Sequence, residues 1–272
     1  MKRIFTVLLA LLFVCSLYAQ NYPLTGFSRI DASGIFEITL QKGHEFSVVL
    51  ECSDDIKDRI DIHVDGKTLV LAIKDRLASQ RSPRSSYANV AVTMPFLTGI
   101  VLSGSCSLLC DGRFAVEGGQ FSMDLSGAAS VKHLRMVASE ALVTLSGASS
   151  ATIAGRIGRM LADISGSSRL GLTGSFVSLN CQSSGVARFI LKDCNIDEMK
   201  LVSSGASSLR SDDVSTVKSA DFEMTGSTSA SLTVTDTLKV EMTGSSCITY
   251  SGPESLKIEK QSVSGAAKLL RK

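Results

Sequence analysis

Along most of this chain, apolar and polar side chains alternate in short runs, and the runs are interrupted at near-constant intervals by a hydroxyl residue followed by glycine. The glycines are Gly104, Gly127, Gly147, Gly166, Gly185, Gly205, Gly226, Gly244 and Gly265, separated by 23, 20, 19, 19, 20, 21, 18 and 21 residues. Ser or Thr precedes every one. Two places before the glycine stand Leu102, Leu125, Leu145, Ile164, Met224, Met242 and Val263, with Ser183 and Ser203 in the same slot. The position before that is mostly polar, and the one before again mostly apolar. This period of two predicts a strand with one buried face. Four places after the glycine the residue is apolar in all nine repeats, from Leu108 to Leu269, so a second strand points inward beyond the turn.

Strand, Ser/Thr-Gly corner, strand and a return of constant length make a coil of about 20 residues. Stacking such coils ~4.8 Å apart pairs each strand with its counterparts above and below. The expected fold is therefore all-β, a parallel β-helix over residues 97–272. An antiparallel sandwich also has short strands at 8–12-residue spacing, but it has no reason to return the same corner residues nine times. Residues 20–96 read differently. Runs at 27–40, 46–52, 60–64 and 68–73 alternate as strands, Asp65-Gly66 joins the last two as a tight hairpin, and a polar stretch at 75–87 precedes another strand from Asn89. This strand-rich segment is expected to cap one end of the helix or form a small appended sheet, because a terminal coil otherwise leaves unpaired backbone.

The first 19 residues change the compartment. Lys2 and Arg3 precede an apolar run from Ile4 to Val14, and Ala19 supplies a small residue before Gln20. That run is too short to span a bilayer and reads as a secretory signal peptide, so the protein is expected in the periplasm, at the outer-membrane surface or outside the cell. Lipidation at Cys15 is the alternative, although Val14 stands where a small residue is expected. Cleavage removes two of the 28 basic residues and leaves 26 against 26 acidic ones. A net charge of zero gives no field for nucleic acid. Six cysteines remain, but Cys110 and Cys181 fall on inward positions of distant coils, where they serve as small apolar residues, and a Cys106–Cys110 disulfide would need a sharp bend between its partners.

Candidate chemistry is sparse. The polar position three before the glycine carries Asp124, Asp163, Glu223 and Glu241. Stacking would put Glu223 and Glu241 about 5 Å apart on neighbouring rungs, and Asp124 and Asp163 about 10 Å apart across two. Those separations resemble the carboxylate pairs of glycosidases. Simple alternation along a solvated face generates the same row, so these four residues form an outward carboxylate row without an assigned role. His44, His63 and His133 are isolated and no Cys-x-x-Cys pair occurs, so neither a structural metal nor a cofactor is expected. Aromatics are 6% of the chain, with no Trp, which leaves few rings to stack on sugars or bases.

The phrase Phe27-Ser28-Arg29-Ile30-Asp31-Ala32-Ser33-Gly34-Ile35-Phe36-Glu37-Ile38, the Asp65-Gly66-Lys67-Thr68-Leu69 hairpin and the repeated Leu-Ser-Gly-Ala-Ser steps resemble the auto-transporter adhesin head GIN domain family of Gram-negative envelope proteins. The resemblance implies a right-handed β-helix and a surface or adhesion role, and brings no catalytic residues. The expectation is a non-enzymatic envelope protein presenting a long face to a protein or glycan surface. A polysaccharide-active lyase or hydrolase is the alternative, and end-to-end self-association is a further reading of the repeat.

Overall fold

In the computed structural model the described residues are 19–74, 86–116 and 119–272, with the side chains of Lys260 and Gln261 left aside. The apolar leader with Cys15, and most of the polar stretch at 75–87, lie outside them.

The alternating runs become one continuous sheet that winds on itself. β8 (Gly99–Gly104) and β9 (Ser107–Asp111) flank the first of the nine predicted corners, and β10 (Arg113–Ala115) and β11 (Gln120–Leu125) follow. β12 (Ser130–Leu145), β13 (Ser150–Ile164), β14 (Arg169–Ser183) and β15 (Arg188–Ser203) are then long strands that bend through a second side. Each pairs parallel with the next, over residues about twenty apart. The same parallel stacking continues to Lys268–Arg271.

The Ser/Thr-Gly corners form an aligned column. Gly127 has φ +72°, and a Cβ placed on it would lie 2.8 Å from the Gly104 carbonyl oxygen. The backbone is in the left-handed region and the rung below touches it, so only glycine fits without strain. The next residue donates its N–H across the corner: Ala128 to Gly104 O at 2.8 Å, Ala148 to Gly127 O at 2.7 Å, Ser167 to Gly147 O at 2.7 Å. The ladder therefore runs through the turns unbroken. The preceding hydroxyl adds a bond to the rung below, as in Ser146 Oγ to Leu125 O and Ser165 Oγ to Leu145 O, both 3.4 Å.

Inside, one cluster of apolar side chains fills the coil, including Phe114, Phe121, Phe176, Phe189 and Phe222, each at most 2% exposed. Burying a side chain of this size contributes about 1.5–3 kcal/mol. The two serines that interrupt the apolar column are accommodated by pairing: Ser183 Oγ donates to Ser203 Oγ at 2.8 Å on the neighbouring rung. A second internal column lies two places after each glycine and holds only small residues, among them Cys106, Ala129, Ser149, Ser168, Ala187, Ser207, Thr228 and Ser246, all buried. Ser168 and Ser207 there donate to the carbonyls of Ser165 and Ser204, closing the corner from within.

The N-terminal segment enters the stack out of order. β2 (Arg29–Gly34) and β3 (Phe36–Lys42) lie parallel to β8 and β9, so Ser33-Gly34 is a tenth corner below Ser103-Gly104. Spacing alone concealed it, because 70 residues separate the two glycines. On the other side of β2 and β3, β6 (Thr68–Ile73) and β7 (Ala88–Met94) add another parallel layer. β5 (Ile60–Asp65) then closes β6 through the Asp65-Gly66 hairpin, and β4 (Ser47–Cys52) closes β7, both antiparallel, with β1 (Gln20–Tyr22) outside β4. Reversal of strand direction covers the edge the first coil would otherwise expose.

Candidate functional site

The outward column three places before the corner runs, rung by rung, Asp31, Val101, Asp124, Thr144, Asp163, Gln182, Val202, Glu223, Glu241, Ser262. The structure pairs Glu223 directly with Glu241 and sets Asp124 and Asp163 two rungs apart, with Thr144 between them. Gln182 and Val202 separate the two pairs. Glu223 is held by Lys200, whose Nζ stands 2.8 Å from its Oε1; that contact raises the Lys200 pKa through the hydrogen bond and the charge of Glu223. Asp124, Asp163 and Glu241 are exposed. Asp31, part-buried at the base of the column, has its carboxyl raised by desolvation, with the Arg29 charge opposing. Arg29 itself reaches over Gly99 and donates from Nη1 to Ser122 Oγ at 3.0 Å, two rungs up. A Cβ at 99 would meet that guanidinium at 2.9 Å, and the flexible Arg29 side chain would shift to make room.

A different face gathers the cations. The strands that follow the corner place Arg169 directly beneath Arg188, and Arg113 directly beneath Arg135. All four are exposed. Two contiguous hollows occupy this face and share Arg169 and Ile190. One, of about 350 Å³, includes His133, Arg135, Thr152 and Lys192 in its wall. The other, of about 640 Å³, includes Arg188, Arg210, Val186 and Ser208. No carboxylate lines either hollow, and none of these arginines forms an ion pair among the described residues. Val186 and Ile190 expose 47% and 40% of their surface there, supplying an apolar floor between guanidinium groups. Sequence reasoning passed over this face because the chain's net charge is close to zero. The signal lay in positions three and five after the glycine, where Arg169, Arg188 and Arg210 fall on successive coils.

Two backbone irregularities border the first hollow. His133 (φ 58°) and Asp193 (φ 51°) are the non-glycine residues with positive φ among the described residues. Each is a β-bulge: Lys132 and His133 together oppose Thr152, and Lys192 and Asp193 together oppose Thr173. The extra residue explains why the Gly127–Gly147 and Gly185–Gly205 coils have 20 residues where the two between them have 19. The next rung satisfies each bulge. Thr152 Oγ1 accepts from the His133 N–H, and Asp212 Oδ2 from the Asp193 N–H, both at 3.0 Å. Asp212 also accepts from the Ser215 N–H at 2.9 Å, and these bonds, the Ser215 hydroxyl foremost, lower its pKa.

A third hollow of about 560 Å³ lies on the next side, with Val137, Val177, Arg156, Ser175, Asn195 and Asp197 in its wall. It carries a single carboxylate. No group of three or more His, Cys, Asp or Glu is placed to hold a metal among the described residues. All six cysteines after residue 20 are free thiols, with Cys106 and Cys110 unbridged. Desolvation pushes the buried Cys181 thiol far above its ordinary value and Cys194 up to about 11.

Residues 26–190 match the family described as "Putative auto-transporter adhesin, head GIN domain". The chain belongs to that family. Solved structures share the head GIN domain fold along nearly its whole length. A protein from Parabacteroides merdae described as a putative adhesin is 15% identical with a TM-score of 0.66, covering 93% of this chain and 95% of its own. One from Parabacteroides distasonis described as a putative lipid binding protein is 14% identical, TM-score 0.66, with 93% and 96% covered. A Bacteroides fragilis putative adhesin is 15% identical, TM-score 0.57, with the same coverage. At these identities the likeness establishes the fold alone. No curated protein matches the chain. No helix among the described residues is long and apolar enough to cross a membrane.

Proposed function

We propose that this head GIN domain is a non-enzymatic binding protein of the cell envelope, exported by its leader to the periplasm, the outer-membrane surface or the exterior. The observation that carries the reading is the regular rung: a rigid, unbroken hydrogen-bonded stack displays outward side chains in straight columns over its length, a geometry suited to an extended partner. Family membership supports the same reading. The carboxylate row fits it as a solvated face, since Glu223 is paired to Lys200 and faces the like charge of Glu241.

The test is a panel of immobilised glycans, envelope proteins and lipid vesicles probed with the purified protein. Micromolar or tighter binding that saturates, without change in the ligand, is the expected result. Turnover of any polysaccharide, lost in the Glu223→Gln/Glu241→Gln double variant, would reverse the assignment and make the row catalytic. Sedimentation over a range of concentrations reports whether copies also assemble with one another.

A further inference from the structure

We infer that the face holding Arg135, Arg169, Arg188, Lys192 and Arg210 binds a linear acidic polysaccharide, one bearing carboxylate or sulfate groups along its length. The inference rests on the binding reading above and names its ligand class.

Three observations converge on that face. The first is charge placed against stability. Like charges directly opposite on neighbouring strands repel, yet Arg169 stands on Arg188 and Arg113 on Arg135, and none of the four has an ion-pair partner among the described residues. A local rule broken without compensation within the fold marks a site whose compensation comes from outside. The second is backbone strain. Both bulges of non-glycine positive φ lie here, His133 in the wall of the groove and Asp193 beside Lys192. Bulges re-aim side chains, and the one at 192–193 directs Lys192 to the hollow that Arg135 and Arg169 share. The third is the company the cations keep. Thr152, Thr173 and Ser208 offer hydroxyls among them, and Val186 and Ile190 an apolar floor.

The shape and composition select among anions. Guanidinium groups take carboxylate or sulfate in a two-pronged geometry, and rungs ~4.8 Å apart repeat them at intervals along the solenoid. A nucleic acid needs a run of ring faces for successive bases, and among the described residues the one exposed ring lining either hollow is the His133 imidazole. Anionic headgroups also attract exposed cations, so anionic vesicles form a competing arm of the test.

The experiment measures retention of the purified protein on heparin and on polygalacturonate, with neutral dextran as reference, and repeats it for Arg169→Gln/Arg188→Gln/Arg210→Gln. These side chains are exposed, and circular dichroism and thermal melting confirm that the variant folds. The expected result is salt-sensitive binding to both polyanions, none to dextran, and at least about a tenfold weakening in the variant. The triple Arg→Lys variant, which keeps charge but loses the fork, should fall between them. An Arg156→Gln/Lys239→Gln control, off this face, should bind as the wild type. Equal binding by the Gln variant overturns the inference. So does tighter binding to single-stranded DNA or to phosphatidylglycerol vesicles than to the polysaccharides. Binding to a neutral glycan or a protein alone also overturns it, and leaves the proposed function standing. Failure to bind anything in the wider panel would remove both.

Discussion

Substituting alanine for Gly166 tests the column of corners directly. Gly166 has φ +69°, and an added Cβ would lie 2.5 Å from the Gly147 carbonyl oxygen and 3.1 Å from its nitrogen. Three costs follow. Holding alanine in the left-handed region costs about 1–2 kcal/mol. The same Gly147 oxygen accepts the Ser167 N–H at 2.7 Å, and moving it away weakens a ladder bond worth about 1 kcal/mol. Displacing backbone that is itself stacked on Gly127 adds overpacking strain of about 1–3 kcal/mol. The expected loss is about 3–6 kcal/mol, measured by urea titration with far-UV circular dichroism, since the chain has no Trp. Gly66→Ala in the β5–β6 hairpin is the internal control. Its φ is +57° but nothing lies within 4 Å of the added Cβ, so only the conformational cost of about 1–2 kcal/mol applies. Equal losses at the two sites would refute the reasoning, because they would show that contact between stacked glycines costs nothing. Broadening of the transition in Gly166→Ala alone would show the array separating at the damaged rung.

Other consequences follow from single groups. Thr228 Oγ1 is buried without a hydrogen-bond partner, so Thr228→Val should stabilise by about 1 kcal/mol, and a loss of that size in the urea midpoint would contradict it. With iodoacetamide at pH 8, the part-exposed Cys52 and Cys247 should react first, while Cys106, Cys110, Cys181 and Cys194 wait for unfolding; mass spectrometry of the native protein carrying six adducts at once would be inconsistent with the buried column. Raised thiol values mean that the folded state favours the neutral form. Stability should therefore hold below the ordinary thiol value near 9 and decline as pH rises above it, less steeply in Cys181→Ala/Cys194→Ala. Asp212 has the opposite sign. Its lowered carboxyl contributes stability above its ordinary value near 3.8, lost as pH falls through the folded value. Asp212→Asn should converge with the wild type only in strong acid, with faster amide exchange at Asp193 and Ser215 at neutral pH.

The sequence by itself determined the coil. A glycine every 18–23 residues, a hydroxyl before it and alternation on both sides admit one repeating solution, because the period fixes which side chains face inward and the glycines mark where only a left-handed residue can turn. Even the bulges were encoded, as the difference between coils of 19 and 20 residues, although nothing in one sequence said that the extra residue was His133 or Asp193. Only the tertiary structure decided three things. It put Ser33-Gly34 under Ser103-Gly104, because β6 and β7 are threaded to the far side of β2 and β3, and a pairing across 70 residues leaves no period to read. It closed the end by reversing β4 and β5. It also brought Arg135 and Lys192, from other positions of the coil, beside Arg169, Arg188 and Arg210 in one basic groove. Composition sums over all directions, whereas a stacked coil projects each position of the repeat onto its own face, and the groove exists only in that projection.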